Sequence, residues 1–507
     1  MPQVFSYKFT GELWQGETEL NTGLFIDGKF IGGCHGTTID VLNPTTGKLI
    51  TKVAEGTAQD VDVAVKAAQK AFDTTWGLNA SGAARAALLR KLADLMDFHK
   101  EELAAIEALD NGNANIQTGK AFSRALHVDV AVAIETIKYY SGWADKITGQ
   151  TLETNESKLT YTRHEPIGVV GQIIPWNFPL LLMTWKIAPA LATGNCIILK
   201  PSEFTPLTAL RMAALIKEAG FPDGVVNVIP GYGEVAGAAI AAHLDIEKVA
   251  FTGSTLVGRK IMQAASQSNI KGVALELGGK SPNIIFDDAD LDQAVAAAAL
   301  GIFWNNGQVC AAGSRIFVQA GVYDEFLERF TARAKSMVIG DPFAKGVDEG
   351  PLVSKPHFDR VMGYIKSGIE QGATVHYSGE EHSGDGYFIK PTIFTDTTPD
   401  MRIVQEEIFG PVVVVIKFTD EDDMIRQANN TIYGLAALVF SQNINRALET
   451  AHRLKAGTVW VNCAGQLHAN VPFGGFKQSG FGRDLGEYAL HNYTNIKAVQ
   501  VGLQRRK

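Results

Sequence analysis

The sequence predicts an α/β protein of two doubly wound units, and three observations carry that expectation. Its 507 residues are enough for roughly three or four folding units at ~100–200 residues each. Apolar runs of strand length alternate with helix-length stretches over most of the chain, the pattern of a parallel sheet with helices on both faces. The 51 glycines suit the many strand–turn–helix junctions such a fold consumes.

The elements follow in chain order. Phe25-Ile26-Asp27-Gly28-Lys29-Phe30-Ile31 places Asp-Gly between apolar pairs, a hairpin signal. Thr57 to Asp60 resembles a capping box, after which Val61, Ala64, Val65, Ala68 and Phe72 recur at helical spacing. A second amphipathic helix carries Leu88, Leu89, Leu92, Leu95 and Met96. Runs 168–175, 196–199, 225–229, 248–251 and 273–277 read as strands of the first unit, and 315–319, 412–418, 435–440 and 458–462 as strands of the second. The boundary falls near residue 280. Residues 148–166 and the last twenty alternate in polarity but belong to neither unit. Uncovered edges invite aggregation, so an identical subunit is the economical cover for them.

Composition removes several classes of function. Lys and Arg total 46 against 54 Asp and Glu, a net charge of −8. Nucleic acid and anionic membrane both demand a basic footprint that this chain lacks. Cys34, Cys196, Cys310 and Cys463 are too few and too scattered for a disulfide framework or a close-spaced zinc site, and no metal is expected. Residues 1–30 show no secretory or transit pattern, and the longest apolar stretch, Ala294 to Trp304, is far short of the ~20 residues of a membrane span. The terminal Leu503-Gln504-Arg505-Arg506-Lys507 shows no lipidation or retention signal. The expected location is cytoplasmic.

Several motifs could carry chemistry. Gly231-Tyr232-Gly233-Glu234-Val235-Ala236 matches G-x-G-x-x-A, and Gly253-Ser254-Thr255-Leu256-Val257-Gly258 also links a strand to a helix. Either could cradle a nucleotide phosphate, or simply pack helix against strand. Lys200-Pro201-Ser202-Glu203 ends a strand, where it could hold a ribose or form a solvated charge pair. Cys310 lies among small residues in Gly307-Gln308-Val309-Cys310-Ala311-Ala312-Gly313, open to a substrate or buried as a small hydrophobe. Glu276 sits inside an apolar strand, where burial raises a carboxyl pKa toward general-base range unless a lysine pairs with it. Asn177, in Pro175-Trp176-Asn177-Phe178-Pro179, could donate to an oxyanion or cap the next helix. No G-x-S-x-G elbow and no His-Glu-x-x-His occurs.

In this order the motifs, with Glu276-Leu277-Gly278-Gly279-Lys280, Glu406-Glu407-Ile408-Phe409-Gly410-Pro411 and Phe473-Gly474-Gly475 near the end, resemble the NAD(P)-dependent aldehyde dehydrogenase family over essentially the whole chain. The resemblance implies two Rossmann-like units and a small β oligomerisation arm: an NAD-binding domain of residues 1–147 and 167–278, a catalytic domain of 279–478, and an arm of 148–166 and 479–507. It implies oxidation of an aldehyde to an acid, with Cys310 as nucleophile, Glu276 as base for hydrolysis of a thioester, and Asn177 with the Cys310 N–H at the oxyanion. It places the cofactor against Ile173, Ile174, Trp176, Lys200, Glu203, Gly233, Gly237, Phe251, Gly253, Ser254, Val257, Gly258, Leu277, Gly278, Glu407 and Phe409. The pyrophosphate belongs by Ser254, and Gly233 and Gly237 border the adenine, so the G-x-G-x-x-A match is not the phosphate loop. NAD is expected over NADP because Glu203 repels a 2′-phosphate.

A tunnel is implied along Phe178, Trp185, Trp304 and Phe473, with Ala464, Gly465 and Leu467 opposite. Small residues on that second wall predict a roomy apolar tunnel favouring medium-chain or aryl aldehydes over acetaldehyde, unless a loop fills the space and leaves a small-aldehyde generalist. The partners implied are a small aldehyde and further copies of the chain, a tetramer before a dimer. Two other readings share the fold: acyl transfer to coenzyme A, which usually lacks the base Glu276, and a non-catalytic binding protein. Three positions depart from the family pattern: His357 replaces a ribose-contacting Gln, Asp484 a proton-relay Glu, and Ala311 the usual Cys or Thr.

Overall fold

The computed structural model describes residues 3–112, 122, 125–379 and 385–504. The end of the C-terminal segment read for anchoring signals, 505–507, lies outside the described residues. An eight-stranded sheet forms the first unit, in the order Gly480–Phe481, Gly272–Glu276, Lys248–Thr252, Val169–Ile173, Cys196–Lys200, Val226–Val228, Leu24–Ile26, Lys29–Ile31. Its five central strands are parallel, and each matches one of the five apolar runs. These central strands read as continuous apolar runs because helices cover both faces. The chain order reverses between Val169–Ile173 and Lys248–Thr252, the switch point beyond whose carboxyl end an open α/β sheet binds its ligands.

The local signals are realised as expected. Asp27 and Gly28 both adopt positive φ, at 50° and 70°, which turns the chain back between Leu24–Ile26 and Lys29–Ile31. The helix Ala58–Thr74 starts at a reciprocal capping box of Thr57 and Asp60. The helix Pro179–Thr193 is buried along its whole length, so it sits inside the protein and carries Trp185 and Lys186 into the interior.

The second unit is a seven-stranded sheet ordered Thr374–Ser378, Thr392–Thr395, Val412–Phe418, Arg315–Gln319, Pro282–Ile285, Ala436–Phe440, Thr458–Val461. The first sheet's last parallel strand ends at Glu276 and an inner strand of the second sheet begins at Pro282. Residues 277–281 therefore form the hinge between the two sheets. The sequence reading missed Pro282–Ile285, which is only four residues long and opens on a proline.

Residues 148–166 and the C-terminal segment pair with each other. Thr494–Gly502 runs antiparallel to Lys158–Pro166 over nine pairs, with Thr151–Leu152 on the far side. Gly480–Phe481, by contrast, adds an antiparallel edge to the first sheet beside Glu276. The outer edge strand carries Ile496, 66% exposed.

Candidate active site

Cys310 sits where two cavities meet. One is a crevice of about 320 Å³ beyond the switch point, and the other is an apolar tunnel of about 50 Å³. Cys310, Thr252 and Leu182 line both. The segment carrying the cysteine leaves the helix Leu291–Phe303 through three consecutive left-handed residues: Asn305 (φ 50°), Asn306 (φ 51°) and Gly307 (φ 74°). Asn and Gly are the residues that reach this region most cheaply. Any Cβ at position 307 would also collide with the Gly410 carbonyl. Side chains then fix the turn: the Asn306 N–H donates to the buried Glu349 carboxylate at 3.1 Å, Gln308 Nε2 to the Asn305 carbonyl at 3.0 Å, and the Val353 N–H to Gln308 Oε1 at 3.0 Å.

The electrostatics around the sulfur oppose ionisation. Burial pushes the Cys310 thiol well above its ordinary value, and the nearby Glu276 and Glu407 carboxylates add to the rise. Backbone N–H groups of Ala311 and Cys310 work the other way but do not prevail. Glu276 ends its strand only 5% exposed. Burial raises its pKa well above the carboxylate range, Asp484 adds to this, and Lys186 and Arg483 counteract it. Its Oε1 has no hydrogen-bond partner among the described residues. Glu276 also faces a second, water-sized cavity lined by Lys186, Arg483, Asp484 and Asn492, in which Lys186 Nζ and Asp484 Oδ2 pair at 2.6 Å.

Asn177 lies 3% exposed between the two units. One hydrogen of its Nδ2 goes to the Gln308 carbonyl at 3.0 Å, which leaves the other available. Three expected residues, Cys310, Glu276 and Asn177, are thus brought together, all of them buried or half-buried.

Of the residues expected to hold a cofactor, Trp176, Gly253, Ser254, Leu277, Gly278, Glu407 and Phe409 line the crevice. Ser254 is the N-cap of the 13-residue helix Thr255–Gln267, its hydroxyl accepting from the Val257 N–H at 3.3 Å. Unpaired N–H groups of that first turn suit a pyrophosphate, and Gly258 lets the helix press against Leu277. Ile173, Ile174 and Phe251 are buried and do not line the crevice. A Cβ on Gly233 would meet nothing within 4 Å, so the space beside it is open, and Gly237 abuts the stem of Lys200. Gly231 instead packs against Ala236 and Gly56, so it serves the packing alternative for that motif.

Lys200 and Glu203 are not a solvated pair. Lys200 is 2% exposed, its Nζ donates to Glu203 Oε2 at 3.2 Å and to the Pro201 carbonyl at 2.9 Å, and burial lowers its pKa while Glu203 opposes the fall. Glu407 accepts from the Gly279 N–H at 2.9 Å, and burial pushes its carboxyl up to about 7. His357 also lines the crevice. Its Nε2 bonds the Phe409 carbonyl at 2.7 Å, and burial pushes its pKa down to about 4.

Phe178, Trp185, Trp304, Gly465, Leu467 and Phe473 line the tunnel as expected, while Ala464 packs behind its wall. The expected roominess is corrected by the structure. Leu181, Leu300, Val309 and Trp460, which the sequence reading missed, also line the lumen. At about 50 Å³ it is smaller than the ~150 Å³ cavity that takes a benzene ring. The reading also missed Thr252, Arg360 and the amide side chains of Asn111, Asn305 and Gln308. Consecutive Asn305-Asn306-Gly307 was the available signal, being three residues suited to left-handed backbone.

The comparisons agree with this geometry. The profile of the "Aldehyde dehydrogenase family" matches residues 30–499. An "Aldehyde dehydrogenase" of Agaricus bisporus is 64% identical over 503 residues, covering 99% of both chains, and one of Emericella nidulans is 57% identical over 481 residues, covering 95% of each. Among solved structures, the NAD+ complex of aldehyde dehydrogenase from Bacillus cereus superposes with a TM-score of 0.92 at 51% identity, over 95% of this chain and 97% of that one. Cys310, Glu276 and Asn177 meeting beyond a nucleotide-type switch point, together with these similarities, show that the chain belongs to the aldehyde dehydrogenase family of oxidoreductases.

Proposed function

We propose that the chain oxidises short, unbranched aldehydes to carboxylic acids with NAD, through a thioester on Cys310. The observation that carries this reading is the position of Cys310 at the junction of crevice and tunnel, beside a buried carboxylate and an amide donor. Support for NAD comes from the fit of the crevice, whose helix N-terminus at Ser254 and Glu407 suit a dinucleotide, and from the Bacillus cereus relative solved with NAD+.

The Cys310 thiol gives up its proton to water, and Sγ attacks the aldehyde carbon, forming the C–S bond and moving the carbonyl pair onto oxygen. The remaining Nδ2 hydrogen of Asn177 and the Cys310 N–H hold that charge. The oxidised nicotinamide, when bound, supplies the acceptor for the hydride that leaves as the carbonyl re-forms. Glu276 then takes a proton from water, whose oxygen attacks the thioester and releases the acid and the Cys310 thiolate. A proton on Glu276 can leave toward the water-sized cavity and the Lys186–Asp484 pair. Acyl transfer to coenzyme A needs no such base, which favours hydrolysis.

The apolar tunnel serves the substrate chain. Its volume suits a few methylene groups and excludes an aromatic ring unless its walls move. The edge strand Thr494–Gly502, with exposed Ile496, and the exposed Leu256 and Ile270 favour a homo-oligomer, a tetramer before a dimer. The four cysteines, all free, suit the reducing cytoplasm.

Four outcomes test these assignments. Glu276→Gln retains acylation and stalls hydrolysis, giving a burst of reduced cofactor equal to the active sites; loss of the burst along with steady turnover would place Glu276 before the thioester. Catalytic efficiency rises about fourfold per methylene from acetaldehyde to butanal, as ~0.8 kcal/mol per buried CH₂ requires, and phenylacetaldehyde falls below butanal; a flat series or an aryl preference contradicts the narrow tunnel. NADP is used at least ~10-fold less efficiently than NAD, because Glu203 opposes the 2′-phosphate and already occupies Lys200, and Glu203→Gln narrows the gap; equal efficiency in the unmodified chain refutes this. Light scattering gives a mass that is a multiple of 54.6 kDa, whereas an active monomer at all concentrations rules out the oligomer.

A further inference from the structure

We propose that Asn111 is a positioning residue for the oxyanion donor, acting through the backbone of Asn177; the proposal rests on the role given to Asn177 above. Asn111 ends the helix Lys100–Asn111 and is fully buried. Its Nδ2 donates to the Asn177 carbonyl at 3.0 Å. The same carbonyl accepts from Asn305 Nδ2 at 2.9 Å, so two donors from two different units hold one oxygen. Asn305 belongs to the left-handed turn before Cys310, and its Nδ2 also reaches the Gln308 carbonyl at 3.4 Å. That carbonyl is the acceptor for the Asn177 side chain.

The arrangement fixes a direction. A planar amide with one hydrogen committed to Gln308 points its second hydrogen in a set direction, provided its own backbone cannot rotate. The two donors on the Asn177 carbonyl stop that rotation. Glu107 lies one turn before Asn111 on the same helix face, and its carboxylate accepts from the Leu180 N–H at 3.3 Å. One face of one helix therefore holds the segment at both Asn177 and Leu180. The Phe178 that lies between them caps the helix Pro179–Thr193 without any side-chain bond of its own. Without Asn111, the Asn177 peptide keeps a single donor, Asn305 Nδ2 from the turn before Cys310. The amide donor then drifts relative to the sulfur, and displacements near 1 Å cost on the order of 10²-fold in rate.

Asn111→Asp keeps the size but sets a carboxylate oxygen against a carbonyl, and Asn111→Ala removes the group; using both covers a failure of either to fold. For each, kcat/KM for the aldehyde is expected to fall about 10- to 100-fold. The dissociation constant for NAD and the rate of Cys310 alkylation by iodoacetamide stay within about twofold, because alkylation at a tetrahedral carbon builds no oxyanion. In a double-mutant cycle, Asn111→Ala added to Asn177→Ala costs little beyond Asn177→Ala alone. Additive losses in the cycle, or parallel falls in alkylation, NAD affinity and turnover, would overturn the proposal by showing an independent or merely structural role. A Cys310→Ala enzyme that still oxidised aldehydes would instead overturn the functional reading on which the proposal rests.

Discussion

The site depends on a turn that the backbone alone would not adopt. Asn305 and Asn306 are left-handed, which costs of order 1 kcal/mol for each L-residue, and they deliver Cys310 to the junction of two cavities. A carboxylate, three amide side chains and a glycine offset that cost. The donors and acceptors come from both units: Glu349 and Val353 from the catalytic side, Asn177 and Asn111 from the cofactor side. The nucleophile is therefore registered to the switch point of the first sheet rather than to its own sheet alone. The hinge takes part as well, since a Cβ on Gly279 would strike the Cys310 carbonyl while the Gly279 N–H binds Glu407.

Burial of several ionisable groups together sets the resting state. Cys310, Glu276 and Glu407 each lose hydration, and each raises the cost of charging Cys310. Glu276 keeps an oxygen unpartnered among the described residues, between the tunnel and a water-sized cavity, an expensive position for a carboxylate and a productive one for a base that must reach water.

Much of this was legible in the sequence, for physical reasons. Asp27-Gly28 and Thr57-to-Asp60 encode their own local geometry, and buried parallel strands announce themselves as unbroken apolar runs. The ordered motifs placed Cys310, Glu276, Asn177 and the crevice wall. What stayed hidden depends on contacts between distant segments. Pro282–Ile285 lies inside its sheet yet is too short to read. Lys200 looked solvated because nothing local shows that Gly237 and the sheet enclose it. The tunnel's width was misjudged because Leu300, Trp460 and Leu181 reach it from three separate elements. Asn111 was invisible, 66 residues from the carbonyl it holds.

The central claim is that Cys310, at the junction of the two cavities, becomes covalently acylated during turnover. Acid quenching of the enzyme turning over butanal with NAD, followed by peptide mapping by mass spectrometry, tests it directly. The account expects a butanoyl increment on the peptide carrying Cys310, absent when NAD is omitted and absent in Cys310→Ala. An increment on Cys463 or another residue, with Cys310 unmodified under active turnover, would contradict it.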